Sequence, residues 1–187
     1  MTWTTDPQHT NFEFAVRHMV VSTVRGHFDE FTIAADIDEA DLTLSTGTVT
    51  VKTGSVSTRE AQRDTHLSSP DFFDAEKYPE MTYVVTKVAG TGGQYTITGD
   101  LTIKDVTRPL VLDAEITGPL ADPWGNTRLG LSATGKLSRK EFGLTWNVVT
   151  EAGGVLVGDE VKLSIDAEFV KAQAPAETEG AAATATA

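Results

Sequence analysis

Four consecutive residues, Arg63-Asp64-Thr65-His66, place a guanidinium, a carboxylate and an imidazole within about one turn of a short predicted helix. An arginine beside an imidazole can hold a diphosphate or a quinone carbonyl through charge-assisted hydrogen bonds. The commoner use of such a pair is structural, with Arg63 and Asp64 paired to neighbours and capping one end of the fold. Arg139, in the run Ser138-Arg139-Lys140-Glu141-Phe142, carries the same two readings, as a partner of Asp64 or of a ligand head. His18 continues the alternating face of Phe12, Phe14 and Val16, which turns it inward, where a lone histidine is more often a hydrogen-bonded core residue than a ligand contact. His9, His18 and His27 recur every nine residues, which is not a metal-ligand spacing on a strand, and no HExxH or cysteine pair accompanies them. No metal or other cofactor is therefore expected. A Gly-x-Ser-x-Gly elbow and a phosphate-cradling glycine loop are also missing, so an enzyme using His18, Asp64 or His66 as general acid or base is the secondary reading.

The elements that must position these side chains read almost entirely as β-structure. Phe12, Phe14 and Val16 alternate with polar or small residues, and the same period of two returns around Phe31 to Ile37, Val49 to Val51, Met81 to Val85, Tyr95 to Ile103, Leu110 to Ile116, Leu129 to Leu137 and Val161 to Phe169. That makes about eight strands. Thr91-Gly92-Gly93, Asp105 to Pro109 and Ala121 to Asn126 supply turns between them. Residues 57–78 break the pattern. Ser57 and Glu60 stand at capping-box spacing before a helix over Ala61 to Leu67, and Ser69-Pro70 offers a second helix start before Asp71-Phe72-Phe73. The fold class that follows is all-β, a single antiparallel barrel over residues 1–171 with a short helical insertion. Residues 172–187 carry no bulky apolar side chain and read as a disordered tail rich in Ala, Thr and Glu.

The 187 residues carry a formal net charge of −12, which repels phosphate backbones and makes nucleic acid an improbable partner. With no cysteine, disulfides and thiolate metal sites are excluded. The first residues show neither a basic n-region nor a long apolar run, so no leader and no membrane span are expected, and the cytoplasm is the expected location.

Eight strands leave an interior that is filled by side chains or just wide enough for one slender ligand. The inward set mixes Phe14, Phe31 and Leu112 with Ala35, Gly99, Ala114, Ala133 and Gly135, and the small members predict room along the axis. A solid-cored interaction module is the alternative, because small inward residues also serve tapering barrel ends. Phe72, Phe73, Tyr78, Phe142, Leu144 and Trp146 are apolar residues in or beside loops, where they form either a tunnel mouth or an end plug.

Several blocks in order and spacing resemble the YceI-like family. They are Asp6-Pro7-Gln8-His9-Thr10-Asn11-Phe12-Glu13-Phe14-Ala15-Val16-Arg17-His18-Met19, Val24-Arg25-Gly26-His27-Phe28, Arg63-Asp64-Thr65-His66-Leu67, Asp71-Phe72-Phe73-Asp74 with Tyr78-Pro79, Gly99 to Lys104, and Ser138 to Leu144. The resemblance covers residues 3 to 171. It implies a lipocalin-like eight-stranded barrel that holds a polyisoprenoid lipid, such as a polyprenyl quinone or diphosphate, for transport, storage or sequestration, often as a homodimer. Many relatives are exported. The residues expected to contact the lipid are Phe14, His18, Phe31, Arg63, Asp64, His66, Phe72, Phe73, Arg139, Phe142, Leu144 and Trp146.

Overall fold

The computed structural model describes residues 3–149 and 154–171, so the tail expected over 172–187 lies outside the described residues. Within them the chain forms eleven strands and one α-helix. The strands are β1 (Trp3–Thr5), β2 (Asn11–His18), β3 (Ser22–Phe28), β4 (Phe31–Asp36), β5 (Thr46–Lys52), β6 (Val56–Ser57), β7 (Glu80–Thr91), β8 (Gln94–Ile103), β9 (Val106–Ala121), β10 (Thr127–Ser138) and β11 (Val157–Lys171). The helix α1 spans Ala61–Ser68. Every strand pairing is antiparallel, in the order β4-β5-β7-β8-β9-β10-β11-β2-β3-β6, with β1 added beside β11.

This is the all-β curled sheet that the alternation implies. The last strand does pair with the first long one, Leu163 opposite Phe14 and Val161 opposite Val16. The sheet's two ends fall instead at β4 and at β3 with its short partner β6, and these do not pair with each other among the described residues. The eight alternating segments all become strands. The three additional strands lack the signal: β1 and β6 are too short for a period to show, and β3 places Gly26 where a bulky inward residue would mark the face. Three local expectations need correction. Glu60, not Ser57, caps α1, its carboxylate accepting from the Gln62 and Arg63 amides, while Ser57 sits in β6. Ser69 ends α1 instead of opening a second helix, and its hydroxyl donates to the His66 carbonyl at 2.7 Å. The turn after Ile103 is only Lys104-Asp105, so Pro109 lies within β9 opposite Asp100.

The core is one interior seen in three patches. The largest gathers Tyr83, Ile97, Leu101, Leu112, Ala133 and Phe142. A second, built on Trp3, Leu129, Ala167 and Phe169, fills the end where β1 joins β11. Phe28, Val51 and Val56 form the third beneath α1, with Leu67 and Phe73 packed on them. α1 follows β6 and precedes β7, and its Leu67 covers the patch of Phe28, Val51 and Val56.

Candidate functional site

An elongated cavity of about 290 Å³ runs through the interior. Its wall is nearly all apolar because each strand turns its alternate residues inward. At one end it reaches Ile37 and Leu42; at the other it reaches Leu67, Phe72, Phe73 and Leu144. Along β11 the lining runs from Val157 to Phe169, about 40 Å of strand path at the usual rise. So modest a volume over that path describes a narrow slot.

The glycines do not create the room, contrary to the expectation drawn from small inward residues. Gly99 lies under the Tyr83 ring, where a Cβ would come within 2.5 Å of the ring's Cζ. Gly135 lies opposite Leu112, whose methyl would be 2.6 Å from an added Cβ, and the Phe14 ring covers Gly26 in the same way. Each glycine receives a large side chain from a neighbouring strand, which fills the gap and fixes the register. Ala35 and Ala133 do line the cavity.

The predicted site residues do not all gather at one place. Phe14, Phe72, Phe73, Arg139 and Leu144 line the cavity. Phe31 meets Phe12 with ring centroids 4.7 Å apart and tilted, packs against the Phe28, Val51 and Val56 patch, and borders a second groove instead of lining the main cavity. His18 ends β2 opposite Val157 and Ser22, half-buried and not among the residues that line the cavity. Phe142 is 2% exposed and packs within the main core. His66, Phe72 and Trp146 make a triangle of rings, with His66 edge-on to both others at 5.1 and 4.6 Å, and His66 Nε2 lies 2.9 Å from Asp71.

Arg63 and Asp64 act on a residue the sequence did not reveal. Thr58, just after β6, is buried; its amide donates to Asp64 at 2.8 Å and its hydroxyl donates to the same carboxylate oxygen. Arg63 closes the arrangement, its Nε donating to the Thr58 hydroxyl oxygen at 2.7 Å and a terminal nitrogen to the Thr58 carbonyl at 2.9 Å. The pair thus pins α1 to the strand beneath it. Thr58 itself gave no signal, since a lone threonine after two strand-like residues is unremarkable in sequence.

Arg139 does not meet Asp64. It sits on the 3₁₀ turn Arg139–Phe142, 3% exposed, and its guanidinium donates to four carbonyls: Gly158 at 2.8 Å, Trp146 at 3.0 Å, Val157 at 3.2 Å and Leu144. Four of its five N–H donors are used this way. Burial lowers the guanidinium's hold on its proton, with the nearby Asp159 carboxylate opposing that shift. A buried positive charge, solvated by four carbonyls with the Asp159 carboxylate nearby, therefore stands in the wall of an otherwise apolar cavity. The sequence block around Arg139 pointed to it, but the carbonyl cage comes from Leu144, Trp146 and the first residues of β11, Val157 and Gly158, which no pattern linked to it.

A family model described as YceI-like domain matches residues 3–169. A UPF0312 protein of Pectobacterium carotovorum is 39% identical over 164 residues, covering 88% of this chain and 82% of that protein. The crystal structure of a Campylobacter jejuni YceI protein is similar with a TM-score of 0.72 and 33% identity, over 84% of this chain and 90% of the other. A polyisoprenoid-binding domain from Saccharophagus degradans, implicated in plant cell wall breakdown, shares the fold at a TM-score of 0.64 and 14% identity, over 94% of this chain and 99% of that domain.

Proposed function

This chain belongs to the YceI-like domain family, and from that premise we propose that it binds a long-chain polyisoprenoid lipid in its interior and carries, stores or sequesters it. The observation that carries the reading is the shape and lining of the cavity: about 290 Å³, nearly all apolar, drawn out along the length of β11. That volume lies just below the roughly 300–1,000 Å³ usual for ligand sites, so a compact ligand would fill only part of the slot, whereas a slender chain follows it. The Saccharophagus domain supports the choice of lipid, being a polyisoprenoid-binding protein of the same fold.

Within this reading Phe14, Phe72, Phe73 and Leu144 contact the chain. Arg139 faces a polar head, a quinone carbonyl or a diphosphate oxygen, with its remaining N–H. Binding without turnover fits the other candidates: Asp64 is committed to Thr58, His66 is packed among Phe72, Trp146 and Asp71, and neither they nor His18 line the cavity. A homodimer in the cytoplasm completes the proposal. No helix among the described residues is long and apolar enough to cross a membrane.

The test is native mass spectrometry of protein purified from its own cells, followed by solvent extraction and accurate mass of what is released. A species whose mass steps by prenyl units is the expected result, and its head distinguishes quinone from diphosphate. An empty protein that also fails to take up an added long-chain quinone would sink the carrier reading. Light scattering on the same sample gives the oligomeric state.

A further inference from the structure

The β2–β3 hairpin ends in Met19-Val20-Val21, which joins His18 to its cross-strand partner Ser22. Val20 is 71% and Val21 80% exposed. Met19 and Val20 both have positive φ, 50° and 63°. Left-handed backbone of this kind favours asparagine and glycine, and a β-branched valine is poorly suited to it. The turn therefore keeps two apolar side chains in water at positions where the backbone itself would prefer polar or small ones.

More apolar surface stands beside this tip. The Met19 amide donates to the Leu156 carbonyl at 2.8 Å, and the Leu156 amide donates to the Val148 carbonyl at 3.0 Å. Val149, which bridges antiparallel to Val155, is 74% exposed. Charge follows the same pattern. Residues 14–28 contain no aspartate or glutamate but hold Arg17, Arg25, His18 and His27, in a chain whose net charge is −12. Arg17 and Arg25 are exposed, and the Arg17 guanidinium donates to the Val20 carbonyl and to the Thr23 hydroxyl. The cavity lies directly behind: Val16 and Val157, the latter paired with His18, are part of its lining.

We propose that this β2–β3 hairpin tip docks the protein on a lipid bilayer, with Met19, Val20 and Val21, and Val149 beside them, entering the headgroup boundary and Arg17 and Arg25 meeting lipid phosphates. An apolar tip flanked by basic side chains suits that interface, and a hairpin without acids between residues 14 and 28 is what an anionic surface requires of an otherwise acidic molecule. The docking sets the cavity end at Val16 and Val157 against the membrane, an arrangement for lipid exchange that rests on the carrier reading above.

The experiment is flotation of the full chain with phosphatidylcholine vesicles and with phosphatidylcholine/phosphatidylglycerol vesicles, wild type beside the double variant Met19→Asn/Val20→Gly. The variant residues suit the left-handed turn, so its urea midpoint is expected to equal or exceed that of wild type, while its vesicle-bound fraction falls about tenfold or more. Stronger flotation of wild type on the anionic vesicles is also expected. Wild type that floats with neither vesicle, or a variant that floats equally well, overturns the docking. So does a wild-type dimer, formed without vesicles and lost in the variant, that fails to float, because a second copy then covers the tip. Uptake of geranylgeraniol measured without vesicles keeps the two readings apart: uptake without flotation defeats only the docking, and flotation without uptake defeats only the carrier.

Discussion

The ring of Tyr83 lies against the backbone of Gly99, and its hydroxyl reaches across to share its one hydrogen between the carbonyls of Ile97 at 3.1 Å and Leu110 at 3.2 Å. One side chain thus ties three consecutive strands of the sheet, β7, β8 and β9, at the level of the cavity wall. A Cβ at Gly99 would stand 2.5 Å from the ring and 2.6 Å from the Val84 carbonyl oxygen. Backbone cannot yield there as a flexible side chain could. Gly99→Ala is expected to lower stability by about 1–3 kcal/mol, the usual range for overpacking, and a urea unfolding midpoint checks it.

The same tyrosine sets an alkaline limit. Burial, with a smaller contribution from the Asp100 charge, pushes its hydroxyl up to about 12 from an ordinary 10.0. The unfolded chain ionises this group first as pH rises, so its contribution to stability is complete below about 10 and is lost as pH climbs through about 12. Tyr83→Phe is expected to flatten the decline of the unfolding midpoint between those values. A variant profile parallel to that of wild type would show that the group is not responsible.

The acid limb has its own residue. Burial raises the Asp122 carboxyl, but hydrogen bonds from Arg128 at 2.8 Å, from Asn126 through both its amide and its side chain, and from the Trp124 amide outweigh it and leave the group at about 2, against an ordinary 3.8. A depressed carboxyl stabilises the fold above its unfolded value, so this contribution is intact above about 3.8 and disappears as pH falls through about 2. Asp122→Asn is expected to be less stable at neutral pH and to lose less on acidification, measured by thermal unfolding across that window.

Arg139 ties Leu144, Trp146 and the start of β11 to the 3₁₀ turn by donating to four carbonyls. Arg139→Met keeps the apolar stem but leaves those acceptors without a donor, and each one stranded away from water costs about 1–3 kcal/mol. The expected loss is several such increments, enough to shift the thermal midpoint of a domain this size by roughly 10 °C or more. Added long-chain quinone should restore less of that loss in the variant than in wild type, because the variant has no donor for the lipid head.

The residues show why some of this was legible in advance and some was not. Period-two alternation in Phe12, Phe14 and Val16 and in seven later segments is a direct image of one buried and one solvated face, so the all-β fold, the pairing of the last strand with the first long one, and the apolar lining at Phe14, Phe72, Phe73 and Leu144 were within reach of sequence. The family motifs added the match that the comparison bore out over residues 3–169. Alternation, however, states which side of a strand a residue occupies and nothing about its cross-strand neighbour. That is why Gly99 and Gly135 read as open space when the Tyr83 ring and the Leu112 side chain fill them. The partners of Arg139 and of the Arg63 and Asp64 pair were beyond sequence for the same reason. They are backbone carbonyls and a lone threonine, groups that every chain has in abundance, and only the tertiary fold decides which of them come within hydrogen-bond reach.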